Sequence, residues 1–396
     1  MRCRTGIRRG PAVPWTVIAA LAGFALAMLP VWPAAAANLS AKPPAFGIQF
    51  HGTWEMYYTG PGAATPNEMF WRHLDGLKSH GVTVIRVDIG WSASQPRNAP
   101  PNADHWYNKR IALVLKEAAA RGMKVLLTLH QSPSWARGDR GGDPKQLPDD
   151  PESITGWATW MAKTYGPSVM AWEVWNEPNL QGFTGVAEAD ERARRYAPLL
   201  KAAHTGLRAG DSNALVVFGG TAHIDTDFIR TVYQAGAKPY FDIMAVHPYQ
   251  GNQTKPPGSR DIVDPARITF FPALIELMAS YGDETKPVWW TEMGFSVHSN
   301  EGIDTSKPWT LGVPTPEISG RYLVESFELA RLSYPQVRLA VVYTTYKPPS
   351  DPAGHQHGYR LFEQDGSALP QSGMLRDYMN EFSGHAALRL RLGVLH

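Results

Sequence analysis

Eight short apolar runs rich in β-branched and aromatic residues recur along this 396-residue sequence, and each is followed by a stretch with helical spacing. That alternation points to parallel βα units, because parallel neighbours need a crossover of a dozen or more residues and a helix is the usual one. The runs are FGIQF (46 to 50), VTVIRVDI (82 to 89), KVLLTLH (124 to 130), AWEVW (171 to 175), ALVVFGG (214 to 220), DIMAVH (242 to 247), VWWTEM (288 to 293) and LAVVYTT (339 to 345). Helices are predicted near 66 to 80, 107 to 121, 151 to 165, 187 to 208, 224 to 236, 265 to 281, 316 to 333 and 370 to 382. Pro66 reads as a first-turn residue behind Thr65, Asp150-Pro151-Glu152 as another helix start, and Gly81, Gly122 and Gly166 as residues that follow helix ends. Eight repeats fit a single (β/α)8 TIM barrel better than an open doubly wound sheet. No Gly-rich dinucleotide fingerprint or phosphate-cradling loop follows any run, which counts further against the open sheet and leaves no cofactor expected. The expected barrel spans 38 to 384, with a tail over 385 to 396 and no internal linker.

The first 37 residues have a different composition. Arg2, Arg4, Arg8 and Arg9 precede an apolar run from Trp15 to Leu29, and Pro33 and the small residues Ala34 to Ala37 follow it. This is the layout of a secretory signal peptide cleaved after Ala37, and the run is shorter than the roughly 20 residues a membrane span needs. An uncleaved anchor is the alternative. The protein is therefore expected to be secreted or held in the periplasm or cell envelope, with no stable membrane insertion once the leader is gone. The Arg8-Arg9 pair leaves general and twin-arginine export both open. Removing the leader takes away four of the 38 basic residues and none of the 36 acidic ones, leaving 34 against 36 and a formal charge of −2. Such a chain has no electrostatic reason to bind nucleic acid. The single cysteine, Cys3, lies in the leader, so stability is expected to rest on the core rather than on disulfides.

Two of the eight runs deliver a glutamate at their ends. In Trp172-Glu173-Val174-Trp175-Asn176-Glu177-Pro178-Asn179 the aromatic and β-branched residues favour a packed strand, and Pro178, which has no N–H, stops the ladder just past Glu177. In Trp289-Trp290-Thr291-Glu292-Met293-Gly294, Glu292 occupies the same kind of position. Barrel chemistry sits at the C-terminal ends of the strands, and runs four and seven of a closed barrel lie on opposite sides of its mouth. Either acid alone could do no more than satisfy loop amides. Two carboxylates across a cleft are what acetal hydrolysis requires, one protonating the leaving oxygen while the other attacks the sugar or activates water.

WNEPN at 175 to 179 and WTEMG at 290 to 294 resemble the acid/base and nucleophile motifs of clan A retaining glycoside hydrolases, and the wording WEVWNEPN is most similar to family 39 and its family 5 neighbours. The resemblance extends to Arg86, His130 and His247-Pro248-Tyr249, and it implies that Arg86, His130, His247 and Tyr249 are substrate-binding residues. It implies a covalent glycosyl-enzyme mechanism with Glu177 as general acid/base, Glu292 as nucleophile and Asn176 as donor to the sugar 2-hydroxyl. The expected activity is hydrolysis of an oligo- or polysaccharide. Glycosyl transfer to a second sugar on the same site is one alternative. A barrel that binds carbohydrate without cutting it is another, although binding alone would need neither glutamate.

A general acid has to hold its proton near neutral pH, which apolar neighbours such as Trp175 would favour. The nucleophile has to stay ionised, and Arg86 or the Tyr249 hydroxyl would favour its charge, although Arg86 could instead form an interior pair with Glu173. His130 and His247 read as hydrogen-bonding sugar contacts or packing rather than proton carriers. His51, His130 and His247 could converge at the mouth, but no close ligand pair such as H-x-x-x-H accompanies them, so no metal is expected. Trp54, Trp91 and Trp135 follow the first three runs and read as platforms for flat sugar faces, whereas Trp157, Trp160, Trp172 and Trp289 read as core. Tyr343 and Tyr346 stand at the end of the eighth run, where the resemblance implies a sugar contact. Long loops over 132 to 149, 251 to 264 and 296 to 314 leave from the glutamate face and are expected to wall a groove.

Overall fold

The computed structural model describes residues 41–58, 65–138, 142–348 and 354–382; the expected leader and tail lie outside them. The strands are β1 (Ala45–Gln49), β2 (Val84–Gly90), β3 (Lys124–His130), β4 (Ala171–Val174), β5 (Val216–Val217), β6 (Thr221–Ala222), β7 (Met244–His247), β8 (Val288–Met293) and β9 (Val337–Val342). They pair in parallel in the order β5-β4-β3-β2-β1-β9-β8-β7-β6. β5 and β6 are two pieces of the fifth run, parted around Gly219-Gly220. A parallel bridge from Val217 to Ile243 and a 2.9 Å bond from Phe218 N–H to Ile243 O join that run to the residue just before β7. The sheet therefore closes on itself with eight strand positions, which is the expected (β/α)8 barrel.

The principal helices follow the expected spacing: α1 (Glu68–Ser79), α2 (Trp106–Ala120), α3 (Thr155–Tyr165), α4 (Ala189–Gly210), α5 (Thr226–Gln234), α6 (Phe271–Ser280), α7 (Pro316–Ser333) and α8 (Pro370–Glu381). Some boundaries differ for local reasons. Pro66 lies ahead of α1, whose cap is Asn67: its side chain accepts the Met69 N–H at 3.1 Å, satisfying an orphan donor of the first turn. Asp150 does cap a start, but of a 3-10 turn, Pro151–Ile154, that leads into α3. Gly81 and Gly122 end helices in the left-handed region at φ 78° and 69°, whereas Gly166, at φ −44°, continues into another 3-10 turn. Among the described residues no helix is long and apolar enough to cross a membrane.

Inside the barrel, Val84, Leu126, Ala171, Val217, Ala245, Trp289 and Leu339 form an apolar floor. Side chains alternate along a strand, so two residues beyond Val84, Leu126 and Ala171 the same inward face carries Arg86, Thr128 and Glu173. The register sets Gln49 beside Arg86, and Asp88 beside Thr128 beside Glu173. A polar layer thus rests on the apolar floor, at the end of the barrel where both glutamates stand.

Candidate active site

One guanidinium organises the polar layer. Arg86, fully buried, donates from Nε to Glu173 Oε2 at 2.6 Å, from Nη1 to Gln49 Oε1 at 2.8 Å and to Glu292 Oε1 at 2.6 Å, and from Nη2 to Asn176 Oδ1 at 2.8 Å. Both readings of Arg86 therefore hold, because its planar fork serves Glu173 and Glu292 at once. Burial opposes its charge, but Glu173, Glu292 and Asp88 outweigh that and raise its pKa further. Glu173 is completed by the Thr128 hydroxyl at 2.6 Å and the Gly220 N–H at 3.2 Å.

Glu292 lies near the end of β8 and also accepts the Tyr249 hydroxyl at 3.0 Å. Glu177 stands three residues beyond β4, on a segment where Trp175 (φ 75°) and Glu177 (φ 43°) both take the left-handed region. Such backbone costs on the order of 1–3 kcal/mol per residue; here it accompanies a turn that brings Asn176 to Arg86 and Glu177 to His247. His247 Nδ1 lies 3.1 Å from Glu177 Oε1 and 3.8 Å from Glu292 Oε2. Burial opposes its charge, yet Glu292 and Glu177 together raise its pKa above the ordinary histidine value. Gly220 makes room for this ring, since a Cβ there would meet His247 Nε2 at 2.3 Å.

Among the described residues, Glu177, His247 and Glu292 form the group that could offer ligands to a metal, with one atom of each within 4.8 Å of the others. The Arg86 guanidinium, 2.6 Å from Glu292, already supplies positive charge and would repel a divalent cation placed beside it.

A cavity of about 460 Å³ opens above the two glutamates, within the range of small-ligand sites. Trp54, His130, Asn176, Glu177, Tyr249, Glu292 and Tyr343 all line it, and the three long loops contribute Lys145, Gln253 and Trp309. Arg86 and His247 do not face the cavity as sugar contacts; both are fully buried behind the carboxylates they hold. Nor are Trp91 and Trp135 platforms. Trp91 begins a short helical turn directly after β2 and stacks on Trp157 at 5.6 Å and 18°, while Trp135 packs edge-on against Trp91 and donates to Gln95 O at 3.1 Å. Trp175 does not cover Glu177 either: its indole donates to Phe183 O at 2.6 Å, and the close neighbour of Glu177 is His247. Tyr346 is buried against Tyr57 and His73.

His51 and Asp88, neither of which the sequence marks as a sugar contact, also line the cavity wall. Asp88 accepts the Gln49 amide at 2.9 Å and lies 3.1 Å from His51 Nδ1. Burial would raise its pKa, but His51 and Arg86 hold it below the usual carboxylate range. The period-two alternation that places Asp88 on the face of Arg86 was the available signal.

His130 is buried with no protein hydrogen-bond partner for either ring nitrogen, and burial lowers its pKa to about 4. Both nitrogens are shielded from solvent, so the ring stands in the cavity wall as a neutral imidazole. Because the unfolded chain takes up this proton near pH 6.5 and the folded protein does not, stability is lost as pH falls from about 6.5 towards 4. The expected loss is on the order of 3 kcal/mol. Replacing His130 by Gln should flatten the unfolding free energy across that window in urea titrations; a slope equal to that of the wild type would contradict a buried neutral imidazole.

Two carboxylates converging at the strand ends of a closed barrel, beside a cavity of sugar size, are the arrangement that hydrolysis of a glycosidic bond requires. In particular, residues 47–315, more than half of the chain, match Cellulase (glycosyl hydrolase family 5). The chain belongs to that family. Solved structures with this fold include a family 39 glycoside hydrolase from the gut symbiont Bacteroides cellulosilyticus WH2, with a TM-score of 0.62 and 20% identity over 86% of this chain and 64% of that one. Others are the GH39 enzyme from Xanthomonas axonopodis pv. citri (0.60, 15%, covering 85% and 67%) and a GH39 β-xylosidase from Caulobacter crescentus (0.59, 16%, covering 85% and 72%). At these identities the likeness is one of fold, and the chain spans under two thirds of the first of them. No curated protein matches the sequence.

Proposed function

We propose that the protein is an exported β-glycosidase that cleaves an oligo- or polysaccharide with Glu177 as general acid/base and Glu292 as nucleophile. The observation that carries this reading is the approach of the two carboxylates, an oxygen of each lying within 4.8 Å of the other. Retaining sites hold their carboxyl groups about 5–5.5 Å apart, whereas inverting sites need roughly 6.5–9.5 Å to admit a water. Export rests on the basic and apolar leader.

Glu292, paired with Arg86 and hydrogen-bonded by Tyr249, attacks the anomeric carbon while Glu177 protonates the leaving oxygen. Glu177 then takes a proton from the incoming water, which displaces Glu292. His247 faces both carboxylates, and this gives it a specific electrostatic role. In the first step Glu292 loses its charge by forming an ester as Glu177 gains charge by giving up its proton, so His247 keeps one anionic neighbour throughout. Asn176 accepts from Arg86 through Oδ1, which leaves its NH2 group to donate to the sugar 2-hydroxyl. An acceptor sugar in place of water would make the same site a transglycosidase.

The family name suggests β-1,4-glucan as the first substrate to try, and the β-xylosidase among the fold relatives suggests xylan. A panel of gluco-, manno- and xylo-polysaccharides with product sizing tests the reading and separates hydrolysis from transfer; no released product from any of them would sink it. Replacing Glu177 by Ala should lower turnover by about 10²- to 10⁴-fold on natural linkages and far less on glycosides with acidic leaving groups. Azide should restore activity and yield a glycosyl azide of retained configuration, because a small anion needs no base. An azide product of inverted configuration would contradict the assignment.

A further inference from the structure

We propose that Trp309 is the platform for the leaving-group sugar, the ring that departs when Glu177 gives up its proton and whose place an acceptor sugar would take. This rests on the roles assigned above to Glu177 and Glu292. The cavity wall has two characters. Around the Arg86 network it is polar and closed: His51, Asp88 and His130 are buried, and Asn176 is held by Arg86. Fixed donors and acceptors that exclude water suit the ring that is attacked. The leaving sugar has the opposite requirement, because it must escape to solvent and admit water in its place. Leu180 and Trp309 supply an open, apolar part of the wall, lining the cavity while 38% and 54% exposed. The Leu180 N–H bonds to Glu177 O at 2.9 Å, so the lining at Leu180 belongs to the acid/base residue's own turn, where the leaving oxygen is protonated.

Trp309 is held there by a built loop. It occupies the turn Pro308–Thr310, between the ends of a segment that closes on itself: Val313 N–H donates to Ser296 O at 2.8 Å and His298 N–H to Val313 O at 3.3 Å. Asn300 clamps Gly312 through both halves of its amide, donating to the carbonyl at 2.9 Å and accepting the N–H at 2.8 Å. His298 Nε2 lies 3.0 Å from Thr310 O. Ser296 N–H donates to Gln253 Oε1 at 2.6 Å, fastening this segment to the loop that carries Tyr249. An exposed indole gains nothing from burial in the free enzyme, but its flat face matches the apolar face of a pyranose.

The test compares wild type, Trp309→Ala and Trp309→Phe on β-1,4-linked gluco-, manno- and xylo-oligosaccharides of three to five units and on the β-glycosyl fluorides of the same sugars. Fluoride leaves without using the platform, whereas a sugar leaves across it. Binding energy realised at a remote subsite is spent in the transition state, so the ratio of kcat/KM on oligosaccharide to kcat/KM on fluoride should fall about ten-fold or more in Trp309→Ala. Trp309→Phe, which keeps a ring, should recover most of it. A ratio equal to that of the wild type in Trp309→Ala overturns the proposal. A wild-type enzyme that turns over none of these substrates overturns the glycosidase reading and the proposal with it.

Discussion

Replacing Glu292 by Ala is expected to lower kcat by on the order of 10⁴-fold or more, comparable to loss of the nucleophile in other covalent mechanisms. No covalent intermediate should accumulate with any substrate, however good its leaving group, because the attacking oxygen is gone. This separates Glu292 from Glu177, whose replacement should spare acidic leaving groups. The Glu292→Ala protein should still fold: its carboxylate is one of several acceptors of Arg86, and Glu173, Gln49 and Asn176 remain. A folded Glu292→Ala enzyme retaining even a tenth of wild-type turnover would remove Glu292 from the chemistry.

Replacing Arg86 by Met should have the larger effect on stability. It strands Glu173, a fully buried carboxylate whose remaining partners are the Thr128 hydroxyl and the Gly220 N–H. Breaking a buried pair in this way costs about 3–5 kcal/mol, which urea titration would show as a lower midpoint. Changing Glu173 to Leu in the same protein should restore part of that stability, since it removes the stranded carboxylate. It should not restore turnover, because Glu292 and Asn176 would still lack the guanidinium that places them. An Arg86→Met protein within about 1 kcal/mol of wild type would show that the network contributes little to folding.

The barrel was legible because buried parallel strands read as continuous apolar runs between helical stretches. The fifth run conceals a break, since Gly219 and Gly220 look like an ordinary strand end; the need for space beside His247 appears only once the two are packed together. Glu177 and Glu292 were legible from position, as acids at the ends of facing strands. The tryptophans were not. Trp91 enters a helical turn directly after its strand and is buried, whereas Trp54, five residues past β1 and just ahead of the turn Glu55–Tyr58, lines the cavity. Arg86 and His247 were legible as residues near the carboxylates, but their full burial behind them was not, because burial depends on the register of neighbouring strands. Trp309 sits in a loop whose closure depends on Asn300 and Gly312, twelve residues apart, and no local pattern marks it.

The most direct test of the two-carboxylate account is identification of the residue that carries the sugar. A 2-deoxy-2-fluoro glycosyl fluoride of the preferred sugar should form a glycosyl-enzyme faster than it is hydrolysed, since the electron-withdrawing 2-fluorine slows both steps and the good fluoride leaving group restores only the first. Mass spectrometry of the digested protein should then find one added sugar, on the peptide that contains Glu292. A label on Glu177 or any other residue, or full inactivation with no covalent sugar, would contradict the account.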